Sequence, residues 1–312
     1  MTRSDRGTSG LASNLPALPG YRHNTGPKWW QTRRARNIAG RALLYLVLTI
    51  GSVVFILPFF YMVNMALSTP GAIGKYPMDW IPKPLMLSNF VKGWVAYYNF
   101  TKFLRNTIYI TTLGTLGTLA SCVLVAYGFG RLRFPGRDVW FIVLLSTMML
   151  PSQVTLVPKY VIFARLHWVN TYKPLIVPAF FGSAFYIFLL RQFFMTLPRD
   201  LDDAARIDGC GYVGILTRIL LPLCKPAAVA VVVFSFVDLW SDFFGPLIYL
   251  NDPEKWTLVL GVTSLVTAIS HSFIHMGYVM AVNTLIVIPV LVIYFWAQSY
   301  FIEGITLTGV RG

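Results

Sequence analysis

The chain has 312 residues, of which 56% are hydrophobic, 15% aromatic and only 12% charged. A soluble domain usually carries about twice that charged fraction, so the composition indicates a membrane protein rather than a water-soluble enzyme or binding module. The 26 Lys and Arg against 12 Asp and Glu give a formal net charge of +14, but these cations sit in a tail and in short loops beside apolar runs. They do not form one basic soluble face, which argues against a nucleic-acid partner.

Residues 1–40 are rich in Gly, Ser, Asn, Pro and Arg and lack a sustained apolar period, which predicts a disordered basic tail. Trp29 and Trp30, followed by Arg33, Arg34 and Arg36, suit either an interfacial anchor at an anionic leaflet or a plain topology signal. A cleaved signal peptide is rejected, because the tail and the apolar run behind it are both too long.

Six runs of about 20 or more mostly apolar residues follow, each enough to cross ~30 Å of hydrocarbon. They cover 43–67, 103–129, 139–163, 175–194, 227–250 and 276–301. Between the first two lies a Pro- and Gly-rich segment that ends in Phe90, Trp94, Tyr97, Tyr98 and Phe100, read as an external loop carrying a short amphipathic helix. Gly114 with Thr118 and Gly117 with Ser121 place small residues one turn apart and permit close helix approach. Pro58, Pro151, Pro158, Pro178, Pro246 and Pro289 suit helices packed in a bundle, where neighbours satisfy the freed carbonyls. With the N-terminus inside, about 17 of the Lys and Arg fall on the cytoplasmic side and about 9 outside, which places both termini in the cytoplasm. Cys122 falls within a span, and Cys210 and Cys224 in a loop assigned to the reducing cytoplasm, so no disulfide framework is implied. No half of the chain repeats the other, which suggests half of a pathway completed by a second subunit.

One inward-facing loop, about 197–226, is long and polar enough to do more than turn. Asp200 is placed to cap a short helix, the acids behind it favour the helix dipole, and Gly209 is placed to end the helix and reverse the chain. Small Ala204 and Ala205 give that helix a face able to enter a cleft on another protein. A second helix is predicted to end near Pro222.

This loop resembles the signature of permease subunits of binding-protein-dependent ABC importers: Glu-Ala-Ala, three residues, Gly, nine residues, Ile, one residue, Leu-Pro. Asp203, Ala204, Ala205, Gly209, Ile219, Leu221 and Pro222 match in order and spacing, Asp208 precedes the Gly, and Asp203 stands where the family has Glu. The resemblance to the carbohydrate branch, typified by the smaller permease of the maltose importer, runs from about residue 40 onward. It includes Arg105-Asn106-Thr107, the stretch from Arg131 to Arg137, Pro151 to Pro158, and Trp240-Ser241-Asp242-Phe243.

The resemblance implies an all-α polytopic fold with six transmembrane helices and a cytoplasmic coupling helix, spanning 41–303 between the tail and a C-terminal segment at 304–312. It implies a homologous second permease, two copies of a cytoplasmic ATPase and an extracytoplasmic solute-binding protein in a prokaryotic inner membrane. It also implies that Thr308, Gly309, Val310, Arg311 and Gly312 reach the ATPase. The cargo expected from this branch is a sugar or sugar-like solute. No phosphate-cradling Gly-Lys-Ser loop is present, so ATP and Mg are expected on the partner ATPase, with no cofactor in this chain.

Asp238 and Asp242 lie four residues apart in the fifth run and would share a helical face. A mid-span acid costs roughly 2.5 to 3.5 kcal/mol on insertion scales, so both are expected to face protein or a wet cavity. Asn64 and Asn283 are weaker candidates for a translocation path, since an interhelical bond explains either equally well. His271 and His275 have the spacing of a helical metal pair but no evident acidic or Cys partner. The alternative function is a self-sufficient carrier or channel with Asp238 and Asp242 as its relay. A membrane enzyme would need a convergent set of acids, His or Cys at one depth, and none is evident.

Overall fold

The structure is a computed structural model that describes residues 29–309 apart from 74, 76–78, 97 and 270–274, with side chains undescribed at 29–36, 39, 152 and 301–309. The described residues are helical and contain no strand. Two compact units divide between Pro58 and Phe59.

The first unit holds the start of α1 (Trp29–Leu67). The helix begins at Trp29, inside the segment expected to be disordered. Its stretch from Leu43 to Pro58 is apolar all round, as suits a helix solvated by lipid.

In the second unit, α2 (Ser88–Val95) is the amphipathic helix expected in the loop. Its Gly93 lies so near Tyr278 that a Cβ would come within 2.8 Å of the Tyr278 carbonyl oxygen. The long α3 (Phe100–Arg131) packs against several of the helices that follow it in the second unit. After it come α4 (Arg137–Ser146), extended by a 3-10 turn at Thr147–Met149, and α5 (Ser152–Arg165). The expected continuous third span is therefore broken at Pro151: proline removes an N–H and disfavours helical geometry in the residue before it, and Leu150 is extended at φ −80, ψ 115.

Next are α6 (Lys173–Ile176), the 3-10 turn Val177–Phe181 and α7 (Ala184–Thr196). The loop region holds α8 (Asp200–Ile207), α9 (Tyr212–Gly214), a π-helical stretch Ile215–Leu220 and α10 (Leu221–Leu223). The chain then bends by 83° into α11 (Lys225–Trp240). The fifth span ends there rather than at 250, and α12 (Phe244–Tyr249) is a separate helix. The apolar α13 (Leu258–Ile269), which was not anticipated, is about 18 Å long at 1.5 Å per residue, too short to cross alone. The last helix is α14 (Met276–Gly309).

Four segments are long and apolar enough to span: Gly40–Leu67, Phe100–Arg131, Lys173–Thr196 and Met276–Tyr300. The two bent pairs, Arg137–Met149 with Gln153–Arg165 and Tyr212–Leu223 with Lys225–Trp240, bring the number to six when each counts as one span.

Close packing around α3 follows from its small residues. A Cβ at Gly114 would come within 2.6 Å of Leu239 of α11, and one at Gly117 within 2.6 Å of Phe180. Ser121 donates to the carbonyls of Gly117 and Ala179, at 2.7 and 3.1 Å. One buried cluster joins Tyr127 of α3, Leu190 and Phe194 of α7, and Ile215 and Leu220 of the loop helices. A second joins Phe100 and Phe103 to Trp240, Leu258 and Val282. The first cluster reaches Ala205 of α8, so the predicted docking helix rests directly on the core.

Candidate functional site

Helix α8 carries Asp200, Asp202 and Asp203 in its first turn, where negative charge favours the helix dipole. Arg199 occupies the N-cap position, and its side chain makes no capping bond, so Asp200, expected to be the cap, is instead the first residue of the helix. At the other end Gly209 adopts φ +81, with its N–H donating to the Arg206 carbonyl at 3.0 Å and the Cys210 N–H donating to the Ala205 carbonyl at 2.9 Å. That pair of bonds with a left-handed residue between them is a Schellman turn. A Cβ on Gly209 would meet nothing within 4 Å, so glycine is favoured there by backbone conformation alone.

The two faces of α8 do different things. Asp202 and Ala205 are buried; Asp202 pairs with Arg131 at the end of α3, and Ala205 belongs to the cluster containing Tyr127 and Phe194. Asp203, Ala204, Asp208 and Gly209 are exposed, with Asp203 3.6 Å from Arg206 in an exposed pair. The expectation that Ala204 and Ala205 form one outward face is therefore corrected. Ala205 is turned inward, its small side chain letting α8 sit tightly on the core, and only Ala204 is presented outward.

Sequence reasoning missed the apolar part of the outward surface. Ile207 is 87% exposed, and Tyr212 and Val213 beyond the Gly turn are exposed as well. Apolar residues flanking Gly209 in an otherwise polar loop were the available signal. Ile219 and Leu221 face inward, packing on the core cluster. Pro222 is exposed and lies just before the break at Cys224. Pro222 and Pro226 each lack an N–H, which fits the 83° bend between them. The residues of the signature thus divide into an outward contact set and an inward bending set.

The intramembrane candidates are not brought together. Asn64 is buried and donates its side-chain amide to the carbonyls of Asp79 and Trp80, at 3.1 and 2.7 Å, so its donors hold the following loop to α1. Asp238 accepts the phenol hydrogen of buried Tyr186 at 2.5 Å while its own side chain is exposed on the surface of the unit. Asp242 does not share a helical face with Asp238, because α11 ends between them; its carboxylate accepts from the Gly245 N–H at 3.1 Å, beginning α12. It lines a cavity of about 460 Å3 with Lys159, Phe163, Phe244 and Tyr249. Asn283 is half-buried on α14, one turn from Ile286, whose carbonyl accepts from the indole of Trp240 at 3.1 Å.

Thr308 and Gly309 are the final residues of α14, so the helix continues through the segment read as a separate tail from 304. Val310, Arg311 and Gly312 lie outside the described residues, as does His271. His275 stacks on Tyr278 at 5.4 Å, and among the described residues no group of three His, Cys, Asp or Glu could hold a metal ion.

Residues 122–306 match the family model described as the binding-protein-dependent transport system inner membrane component. The chain is 31% identical over 277 residues to the arabinooligosaccharides transport system permease protein AraQ of Bacillus subtilis (strain 168), covering 87% of this chain and 96% of that protein. It is 32% identical over 266 residues to the sn-glycerol-3-phosphate transport system permease protein UgpE of Yersinia pestis bv. Antiqua (strain Antiqua), covering 84% and 94%. The fold is similar to a chain of a bacterial ABC transporter that imports the acidic polysaccharide alginate, with TM-score 0.72, 22% identity, and coverage of 91% of this chain and all of that one.

Proposed function

We propose, from the premise that the chain belongs to the binding-protein-dependent transport system inner membrane component family, that it forms half of an ATP-driven import pathway for a sugar or sugar-like solute. It is a transport component and not an enzyme. The observation that carries the coupling role is the division of α8: Asp202 and Ala205 fix the helix to the core, while Asp203, Ala204, Ile207 and Asp208 face away from it. A partner that moves α8 therefore moves α3 and α7 with it.

The partners in this reading are a homologous second permease, two copies of a cytoplasmic ATPase that binds ATP and Mg, and an extracytoplasmic solute-binding protein. Both termini and α8 are cytoplasmic, as the distribution of Lys and Arg supports. Thr308 to Gly312 contact the ATPase. A polyhydroxylated cargo is supported by the two relatives, whose names assign them to the transport of arabinooligosaccharides and of sn-glycerol-3-phosphate.

Reconstitution tests the reading. Uptake is expected only when the ATPase, the second permease and the binding protein are present with ATP. Unassisted flux through the chain alone would favour the carrier with Asp238 and Asp242 as its relay.

A further inference from the structure

The loop between α3 and α4 and the entry to α8 enclose an open cavity of about 620 Å3, lined by Arg133, Phe134, Arg137, Asp138, Val139 and Arg199 among others. Three guanidinium groups there face one carboxylate. Asp138 is engaged by Arg137, whose Nε lies 2.9 Å from Oδ1. The exposed side chains of Arg133 and Arg199 make no ion pair or hydrogen bond among the described residues. A second cavity, of about 600 Å3, shares Arg133, Phe134 and Arg199 and reaches Asp202 and Arg206 of α8.

The neighbouring surface identifies the occupant. From the mouth of the cavity, α4 exposes Val139, Trp140 and Ile142 by 62 to 66%, and this helix is the first half of a bent candidate span. The cations thus lie where lipid-facing apolar surface begins, with an exposed Trp at the boundary, as is common at membrane interfaces. An acidic soluble protein would find only half of this surface complementary. A molecule with one anionic phosphate joined to acyl chains matches both halves, and Arg is suited to phosphate because its planar donors can bind two oxygens together.

We propose that this cavity binds the phosphate head group of an anionic phospholipid, with Arg133 and Arg199 as its donors and the acyl chains lying along Val139 and Ile142. Arg199 is the N-cap residue of α8, and its carbonyl accepts from the N–H groups of Asp202 and Asp203, at 2.9 and 3.2 Å. Occupancy therefore ties the coupling helix to the bilayer surface. The inference rests on the proposed function only in placing this end of the bundle at the cytoplasmic membrane boundary.

The test is native mass spectrometry of the full chain in detergent with equimolar palmitoyl-oleoyl phosphatidylglycerol and phosphatidylcholine. The wild type should retain phosphatidylglycerol in preference by about thirtyfold, given two basic contacts. The Arg133→Gln/Arg199→Gln variant should fall within about twofold of no preference, and Arg133→Lys/Arg199→Lys should keep most of it because the charge remains. Arg165→Gln, at the end of α5, should behave as wild type. Equal retention of the two lipids by the wild type, or a preference that survives in the Gln variant, overturns the proposal. Displacement of the bound lipid by an equal concentration of inorganic phosphate overturns the lipid as occupant and leaves a small-anion site. If the Gln variant loses helical circular dichroism, the wild-type lipid comparison decides alone. No ATPase or cargo enters the assay, so failure of the transport reading is seen separately.

Discussion

Arg131 Nη1 lies 3.6 Å from Asp202 Oδ2, joining the last residue of α3 to the first turn of α8, with side chains only 2% and 10% exposed. Nε and Nη2 of Arg131 and Oδ1 of Asp202 have no hydrogen-bond partner among the described residues. Each charge is therefore compensated chiefly by the other, and α8 is held to α3 by an ion pair whose two halves are costly to separate.

Arg131→Ala and Asp202→Ala should each destabilise the protein by about 3 to 5 kcal/mol, because each leaves an uncompensated buried charge. The double variant should be more stable than either single one, since it removes both charges. Thermal unfolding in detergent measures all three, and additive losses would show that the pair is uncoupled.

Gly209 should rank Gly, Asn, Ala, Val in decreasing tolerance. Its positive φ is disfavoured by about 1 to 2 kcal/mol for an ordinary L residue and more for a β-branched one, while Asn tolerates it. Because nothing crowds the Cβ position, side-chain size should matter little between Asn and Ala. Co-purification of the ATPase with each variant tests the order, and equal recovery with Gly209→Val would remove the turn from the docking geometry.

Ala204→Arg and Ala205→Arg should fail in different ways. Ala204 is exposed, so its variant should keep the wild-type Tm and lose ATPase binding; Ala205 is 4% exposed, so an Arg there should destabilise the fold itself. Comparing Tm with ATPase recovery separates the two. A wild-type Tm for Ala205→Arg would contradict the inward placement.

Cys210 is half-exposed, while Cys122 and Cys224 are buried. An impermeant maleimide should therefore modify one thiol in the folded protein, and only when the cytoplasmic face is accessible. Modification from the external side alone in oriented vesicles would reverse the proposed orientation.

Asp238→Asn retains an oxygen to accept the Tyr186 phenol, so ATP-driven uptake should fall by no more than about threefold, on the scale of one weakened hydrogen bond. The carrier alternative instead requires a titrating carboxylate. Loss of all uptake, accompanied by loss of its pH dependence, would favour that alternative.

Much of this molecule was legible in one dimension because the signals are local. Apolar runs long enough for a bilayer, the small residues of α3, and the helix and Gly turn of α8 each depend on neighbours within a few positions. Other features depend on residues distant in the chain. Whether Ala204 or Ala205 faced outward was decided by where α3 and α7 lay, since the two alanines are chemically identical. Asn64 reads as an intramembrane polar group until the carbonyls of Asp79 and Trp80 take its donors. Asp238 and Asp242 share a face only if the helix continues, and it stops at Trp240, before Asp242, whose carboxylate instead bonds the Gly245 N–H at the start of α12. Composition and periodicity determined that the chain enters a membrane and offers a capped loop at one end; tertiary contacts alone decided which side of that loop is bound to the protein's own core, because burial of one face depends on the elements packed against it.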